Sequence, residues 1–246
     1  MSAATAAPLR ICHNQEISDQ GDHEPAFVLT QLLQREGVEP PFEHIALPWR
    51  RCLLSVAAGE VDAALAVSYS DERAATLVFP TAGTGQPETQ LRMFRLGYVF
   101  LRSKGSLARW NGRRFVHLSR PIGVQRGHSV AEFLRQQQVD VDDGTAEADA
   151  LLAKLRLGRL DGVAVSQPHW RDLMEQSQWA ETLEVAGPAL MKRDYFLAFS
   201  PDFFKRAPNR ARRIWQDLAR LRESTEFRVA FARHLGLSTS DINASP

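Results

Sequence analysis

The stretch AVSYSDERA, residues 66–74, sets two hydroxyls and an arginine where an apolar run stops. Ser68 and Ser70 stand at the end of that run, and Arg73 follows three residues after Ser70. A guanidinium offers a planar donor fork that matches a carboxylate, and a serine at a helix start accepts from backbone N–H groups. The combination suits binding of an anion, above all a carboxylate, and is equally compatible with a solvated helix start. VQRGHS, residues 124–129, repeats the arrangement: a strand ends, Gly127 permits a tight turn, and His128 and Ser129 open a helix. It is not a GxGxxG sequence, which disfavours a dinucleotide site. Trp49 follows Pro48 at the start of another helix and offers a rigid apolar wall for a cleft.

Catalytic patterns are weaker. There is no GxSxG nucleophile elbow. Cys12 and His13 are neighbours on a strand, so their side chains point to opposite faces and do not make a simple nucleophile–base pair. Glu16, Asp19, Asp22, His23 and Glu24 crowd one loop, either as acid–base groups at a cleft or as a hydrated surface. Cys12 and Cys52 have no spacing that suggests zinc or an iron–sulfur cluster. They can join as a disulfide in an oxidising compartment or pack as two small core residues. No cofactor is expected. A formal net charge of +1 gives no cationic excess pointing to nucleic acid, although 26 of the 30 basic residues are arginines. No run of 18 apolar residues is present. The opening MSAATAAPLR reads either as the remnant of a removed signal sequence or as a natural start.

The elements that must position these groups alternate. Leu9–Cys12, Phe42–Ala46 and Val61–Val67 have strand character, with helical spacing over 26–35 and again after Pro48. A short turn capped by Ser70 follows, and Leu96–Arg102 reads as a long strand. The pattern then restarts: strand at Ile122–Val124, helix at 130–138, helix at Glu147–Leu157, buried strand at Leu160–Val165, helix over 169–179. Tyr195–Phe199 is a strand, and Asn209–Leu235 is helical. Alternation of this kind predicts an α/β chain with parallel strands and right-handed crossovers. SVAAGEVDAALAVS (55–68) and AKLRLGRLDGVAVS (153–166) share one corner: a helix ends, a glycine turns, an aspartate starts a strand. Two such units imply two lobes, residues 1–101 with 196–246 and residues 102–195, with hinge crossings near 100–103 and 193–196. Ligands in such sheets bind at the carboxyl ends of strands, here in an interlobe cleft. Strand polarity alone does not place Asp161, which begins its strand, at that ligand.

The block PWRRCLLSVAAGEVDAALAVSYSDERAATLVFP (48–80), with IGVQRGHSVAEFL (122–134) and LAKLRLGRLDGVAV (152–165), resembles the family-3 bacterial extracellular solute-binding proteins. These are the periplasmic proteins of polar amino-acid ABC transporters, and the resemblance covers about residues 8–235. It implies a two-lobed periplasmic-binding fold of type II, each lobe a mostly parallel sheet flanked by helices, in a monomer. It implies that Arg73 grips a ligand carboxylate, that Ser68 and Ser70 assist, and that His128 and Ser129 meet the same carboxylate from the second lobe. Asp161 matches the acid that receives the ligand's ammonium, and Trp49 lies near the family's aromatic region. Where the family has an aromatic, proline-rich first loop, this chain has EISDQGDHEPAFVLTQLL, so acids such as Glu16 stand there and favour a cationic ligand. Ala66 replaces the usual ligand-facing serine. The resemblance thus implies a periplasmic protein that captures a small polar solute for an ABC permease. The alternatives are a membrane-sensor domain and a dehydratase-like enzyme acting on a small carboxylic acid.

Overall fold

The computed structural model describes residues 7–15, 24–37, 41–82 and 85–235. The chain forms two compact units, Met1–Arg95 with Asp194–Pro246, and Leu96–Arg193. In the first, β1 (Leu9–Asn14), α1 (Pro25–Arg35), β2 (Phe42–Leu47), α2 (Trp49–Ala57), β3 (Ala63–Ser68) and the short α3 (Asp71–Ala74) lead into β4 (Phe94–Ser103). The chain passes into the second unit within β4. There follow β5 (Arg109–Trp110), β6 (Phe115–Val116), β7 (Ile122–Gly123), α4 (Val130–Gln136), β8 (Val141–Asp142), α5 (Ala148–Arg156), β9 (Gly162–Ser166), α6 (Gln167–Glu175), α7 (Ser177–Thr182) and β10 (Leu183–Val185). The chain returns within β11 (Met191–Phe199) and ends in α8 (Pro201–Arg206), α9 (Pro208–Arg222) and α10 (Thr225–Leu235). Among the described residues no helix is long and apolar enough to cross a membrane.

Within the first unit the strands run β2-β1-β3-β11, with β1 parallel to both neighbours and β11 antiparallel to β3. Within the second unit they run β4-β9-β7-β8, parallel between β9, β7 and β8 and antiparallel between β9 and β4, with β10 pairing antiparallel to β4. Strand alternation on β4 is visible in its packing. Tyr98 and Phe100 face a core with Ile122, Val130 and Leu134, while Val99 and Leu101 face one with Leu152, Leu155 and Val163. The long helix expected over the tail divides at Ser224, whose Oγ accepts from Phe227 N at 3.2 Å and caps α10. The helix expected over 169–179 likewise divides between α6 and α7. The two-residue strands β5, β6 and β8 and the three-residue β10 are too short to leave a periodic signal.

The repeated corner performs one task twice. Gly59 (φ 75°) and Gly158 (φ 66°) take the left-handed conformation that ends α2 and α5. In each, the glycine N–H reaches back three residues, to Val56 O and Leu155 O, and the next N–H reaches back five, to Ser55 O and Lys154 O. The following aspartate then clamps the entrance of the adjacent parallel strand. Asp62 Oδ2 accepts from Arg10 N at 3.0 Å, and Asp62 N donates to Arg10 O at 3.0 Å. Asp161 Oδ2 accepts from Ser119 N and from Arg120 N, the latter at 2.7 Å, just before β7, and Asp161 N donates to Pro121 O at 3.2 Å. Hydrogen bonds to a charged group contribute about 1.5–3 kcal/mol each.

Cys12 on β1 and Cys52 on α2 form a disulfide with Cα atoms 5.6 Å apart and a sequence separation of 40. Both are fully buried, beside Trp49, Val56, Val67 and Phe196. Closing a loop of this length removes unfolded-state entropy worth about 4 kcal/mol in the chain-entropy description. The double substitution Cys12→Ala, Cys52→Ala is expected to lower unfolding free energy by about 2–4 kcal/mol, read from urea midpoints.

Two histidines flank Phe27 in the first unit. The His13 ring lies 4.8 Å from the Phe27 ring and the His44 ring 5.0 Å from it, both edge-on. Desolvation lowers the basicity of both, and repulsion from His13 helps push His44 down to about 4. An unfolded histidine titrates near 6.5, so between roughly pH 6.5 and 4 the unfolded chain binds more protons than the folded one. Stability contributed here is present above that window and is lost as pH falls through it. The melting temperature should therefore drop between pH 6.5 and 4, and His44→Gln should flatten the drop.

Candidate functional site

The carboxyl end of β3 is shaped by a bulge. Val67 pairs with Phe196 and Ala64 with Ala198, so Leu65 and Ala66 oppose Leu197 alone. Ala66 takes φ 56°, a left-handed value that costs an L-residue about 1–2 kcal/mol. The extra residue reverses the face of everything after it. Ala64 and Val67, three apart, both join the core that holds Phe196 and Ala198, which regular alternation would forbid. The carbonyl of Leu197, opposite the bulge, accepts from the indole Nε1–H of Trp215 at 2.7 Å.

Beyond the bulge, four of the residues singled out in sequence meet. Arg73 Nη1 donates to Ser68 Oγ at 2.6 Å and to Ser68 O at 2.8 Å. Its guanidinium lies 5.8 Å from the centre of the Trp49 ring, within range of a cation–π contact. Ser70 Oγ accepts from Arg73 N at 3.3 Å, so Ser70 caps α3 as the sequence predicts. Trp49, 9% exposed, reaches this place because it starts α2, whose inner face is held by the disulfide. The long arginine side chain is thereby fixed in one orientation, which lowers the entropy lost when it grips an anion.

In the second unit, the turn after β7 carries the other predicted pair. Gly127 (φ 81°) makes the turn, and His128 N donates to Gln125 O at 3.1 Å. The His128 ring stands 6.5 Å from the Tyr98 ring, with Nδ1 3.5 Å from the Tyr98 hydroxyl. Ser129 is buried, and among the described residues its Oγ has no hydrogen-bond partner. A buried hydroxyl without a partner carries a penalty that an incoming acceptor would remove. Three polar residues nearby escaped the sequence reading. Gln125, at the exit of β7, is buried and donates through Nε2 to Ala146 O at 3.1 Å. At the exit of β9, Ser166 Oγ accepts from His169 N at 3.4 Å, and Gln167 Oε1 accepts from Gly97 N at 3.1 Å. Only their position at strand ends, with no charge or glycine beside Ser166 and Gln167, could have pointed to them.

Asp161, which the resemblance implies receives the ligand's ammonium, is engaged by the chain itself. Its carboxylate, 9% exposed, accepts from two backbone amides through Oδ2, while Oδ1 faces Ser119 Oγ at 3.4 Å and Arg120 Nη1 at 3.7 Å. Both oxygens are engaged at the amino end of β9, away from the strand exit. The backbone contacts of Asp161 parallel those of Asp62. Glu16, the acid proposed for the first loop, lies outside the described residues. Among the described residues no group of three or more His, Cys, Asp or Glu side chains could hold a metal ion.

No protein-family model matches the chain, and no curated protein matches it. Solved structures do. The GluR0 ligand-binding core in complex with L-glutamate is 17% identical, with a TM-score of 0.73 over 95% of this chain and 100% of that one. A histidine kinase sensor domain with similarity to periplasmic binding proteins is 16% identical, with a TM-score of 0.70 over 95% and 98%. The amino-acid ABC transporter substrate-binding protein AbpA from Streptococcus pneumoniae, bound to L-arginine, is 16% identical, with a TM-score of 0.69 over 93% and 94%. The fold is the two-lobed α/β architecture of type II periplasmic binding proteins.

The bulge has a direct test. Ala66→Gly removes the penalty at φ 56° and should raise unfolding free energy by about 0.5–1 kcal/mol, whereas Ala66→Val should lower it by more. Both are read from denaturant midpoints.

Proposed function

We propose that the protein is a solute-binding protein, of the kind the family-3 resemblance implies, that captures a small polar molecule bearing a carboxylate. The observation that carries this reading is the fixed guanidinium of Arg73, anchored by Ser68 and set over Trp49 at the exit of β3. Arg73 takes the carboxylate from the first unit, with Ser68 and Ser70 holding its approach. His128 and Ser129 supply donors from the second unit, where the Ser129 hydroxyl, without a partner among the described residues, gains an acceptor. A solute that engages both sets favours the ligand-bound conformation over the open one by its differential contacts, with β4 and β11 as the hinge segments. Binding, not turnover, is the proposed task, and no cofactor takes part.

Two further features support it. The similar structures include proteins described with bound L-glutamate and L-arginine. The enclosed Cys12–Cys52 bridge belongs to an oxidising compartment, as an extracytoplasmic protein requires. The partner on this reading is an ABC permease. The likeness to a kinase sensor domain and to a receptor's ligand-binding core favours a second reading, in which occupancy is reported to a membrane signalling partner. Solute capture is common to both.

Calorimetric titration with amino acids, and with amines of the same skeleton lacking the carboxylate, tests the assignment. Arg73→Ala should abolish binding of the carboxylate series while leaving the far-ultraviolet spectrum unchanged. Arg73→Lys keeps the charge but loses the fork, and should weaken binding by about tenfold or more. Unchanged affinity in Arg73→Ala would remove the clamp from the mechanism. Asp161→Asn should lower stability and change affinity for aminated and non-aminated ligands alike.

A further inference from the structure

Between Glu88 and Glu132 the chain contains no acidic residue but nine basic ones. The structure gives six of these a local partner. Arg92 and Arg95 meet Asp194, Arg102 meets Glu184, Arg120 meets Asp161, and Lys104 and Arg126 donate to the carbonyls of Ala180 and Gly144. The remaining three, Arg109, Arg113 and Arg114, are exposed on the β5–β6 hairpin, and among the described residues none of them meets a carboxylate. The hairpin is rigidly mounted. Trp110 is buried against Phe115 and Phe133, with ring centres 4.8 and 5.7 Å away, and its backbone N–H donates to Ala186 O at 2.9 Å. Gly187 (φ 128°) permits that approach, since a Cβ there would lie 1.9 Å from Trp110 O. Asn111 Oδ1 accepts from the backbone of both Arg113 and Arg114 at 2.9 Å, which sets the turn that carries them. Leu107, 71% exposed, precedes the hairpin, and Val185, 36% exposed, precedes its anchor Ala186. The acids nearest in sequence to that anchor are Glu184, held by Arg102, and Glu181 on α7.

We propose that this hairpin is a docking surface for an anionic lipid bilayer. Guanidinium forks match lipid phosphates, and the exposed Leu107, two residues before Arg109 in the chain, enters the headgroup layer as an apolar anchor. An acidic protein would satisfy the arginines but would leave Leu107 without a role. Each cation near an anionic bilayer strengthens partitioning about fivefold, so three give about a hundredfold, sensitive to salt. The surface is independent of solute binding, and the test below contains no solute.

Sedimentation of the full chain with vesicles tests it. Binding should appear with equimolar phosphatidylglycerol and phosphatidylcholine at about 50 mM salt, vanish with phosphatidylcholine alone, and fade at about 0.5 M. The triple variant Arg109→Glu, Arg113→Glu, Arg114→Glu should lose at least about a hundredfold, and Leu107→Ala about tenfold. Lys205→Glu, Arg212→Glu, Arg213→Glu changes net charge equally on α8 and α9 and should retain binding. If the glutamate triple does not fold, the glutamine triple replaces it. Absence of wild-type binding to the anionic vesicles, or equal loss in the two charge-matched triples, overturns the proposal. So does arginine-dependent binding to polyglutamate without vesicle binding, which would assign the hairpin to an acidic protein.

Discussion

A carboxylate that holds the entrance of a neighbouring strand is the interaction on which each unit depends. Parallel strands leave their first backbone amides without a hairpin partner, because the preceding chain arrives from a crossover. Asp62 and Asp161 supply that partner and also present their own amide to the same place. Register is thereby set at the amino end, and a register slip of one residue would move every side chain of β3 or β9 to the opposite face, into a core shaped for its neighbour. The glycine before each aspartate belongs to the same device, since it stops the helix where the carboxylate can reach. With the entrances fixed, the strand exits are brought to defined positions, and the exits are where the polar residues of interest collect.

The first unit then departs from regularity at one point. The bulge at Ala66 lets β3 satisfy two demands: a core-facing Val67 beside Phe196, and a Ser68 that meets Arg73. Strain of this kind persists where surrounding structure over-determines it. Here the surroundings are the buried bridge below α2 and the Trp215 indole of α9, which donates to Leu197 O on the opposite strand. The site is thus built from a distorted strand end, a helix start and an arginine whose orientation is settled in advance.

Much of this was legible in sequence. The alternation of apolar runs and helical spacing carries the α/β class, and Ser70 and Arg73 lie close enough in the chain for local geometry to join them. The repeated Gly–x–x–Asp corner is equally plain, but its purpose is not: the residues Asp161 clamps, Ser119 and Arg120, are about 40 positions away, and only the fold brings them near. Resemblance assigned Asp161 to the solute, whereas strand polarity alone puts it at the amino end of β9, where its carboxylate meets Ser119 and Arg120. The bulge was hidden because Ala66 is an ordinary strand residue, with no glycine to mark a positive φ. The hairpin at Arg109–Val116 was missed because strands of two residues carry no period, and that its arginines meet no carboxylate among the described residues is a property of the fold.

The Cys12–Cys52 bridge has one more consequence. It ties β1 directly to α2 across α1 and β2, so that everything between Cys12 and Cys52 lies within a covalent ring. A single backbone cleavage anywhere in that ring releases no fragment, and the severed ends remain tethered to the sheet they were folded onto. In a compartment shared with proteases, the first half of this protein can be nicked there once and still be one molecule.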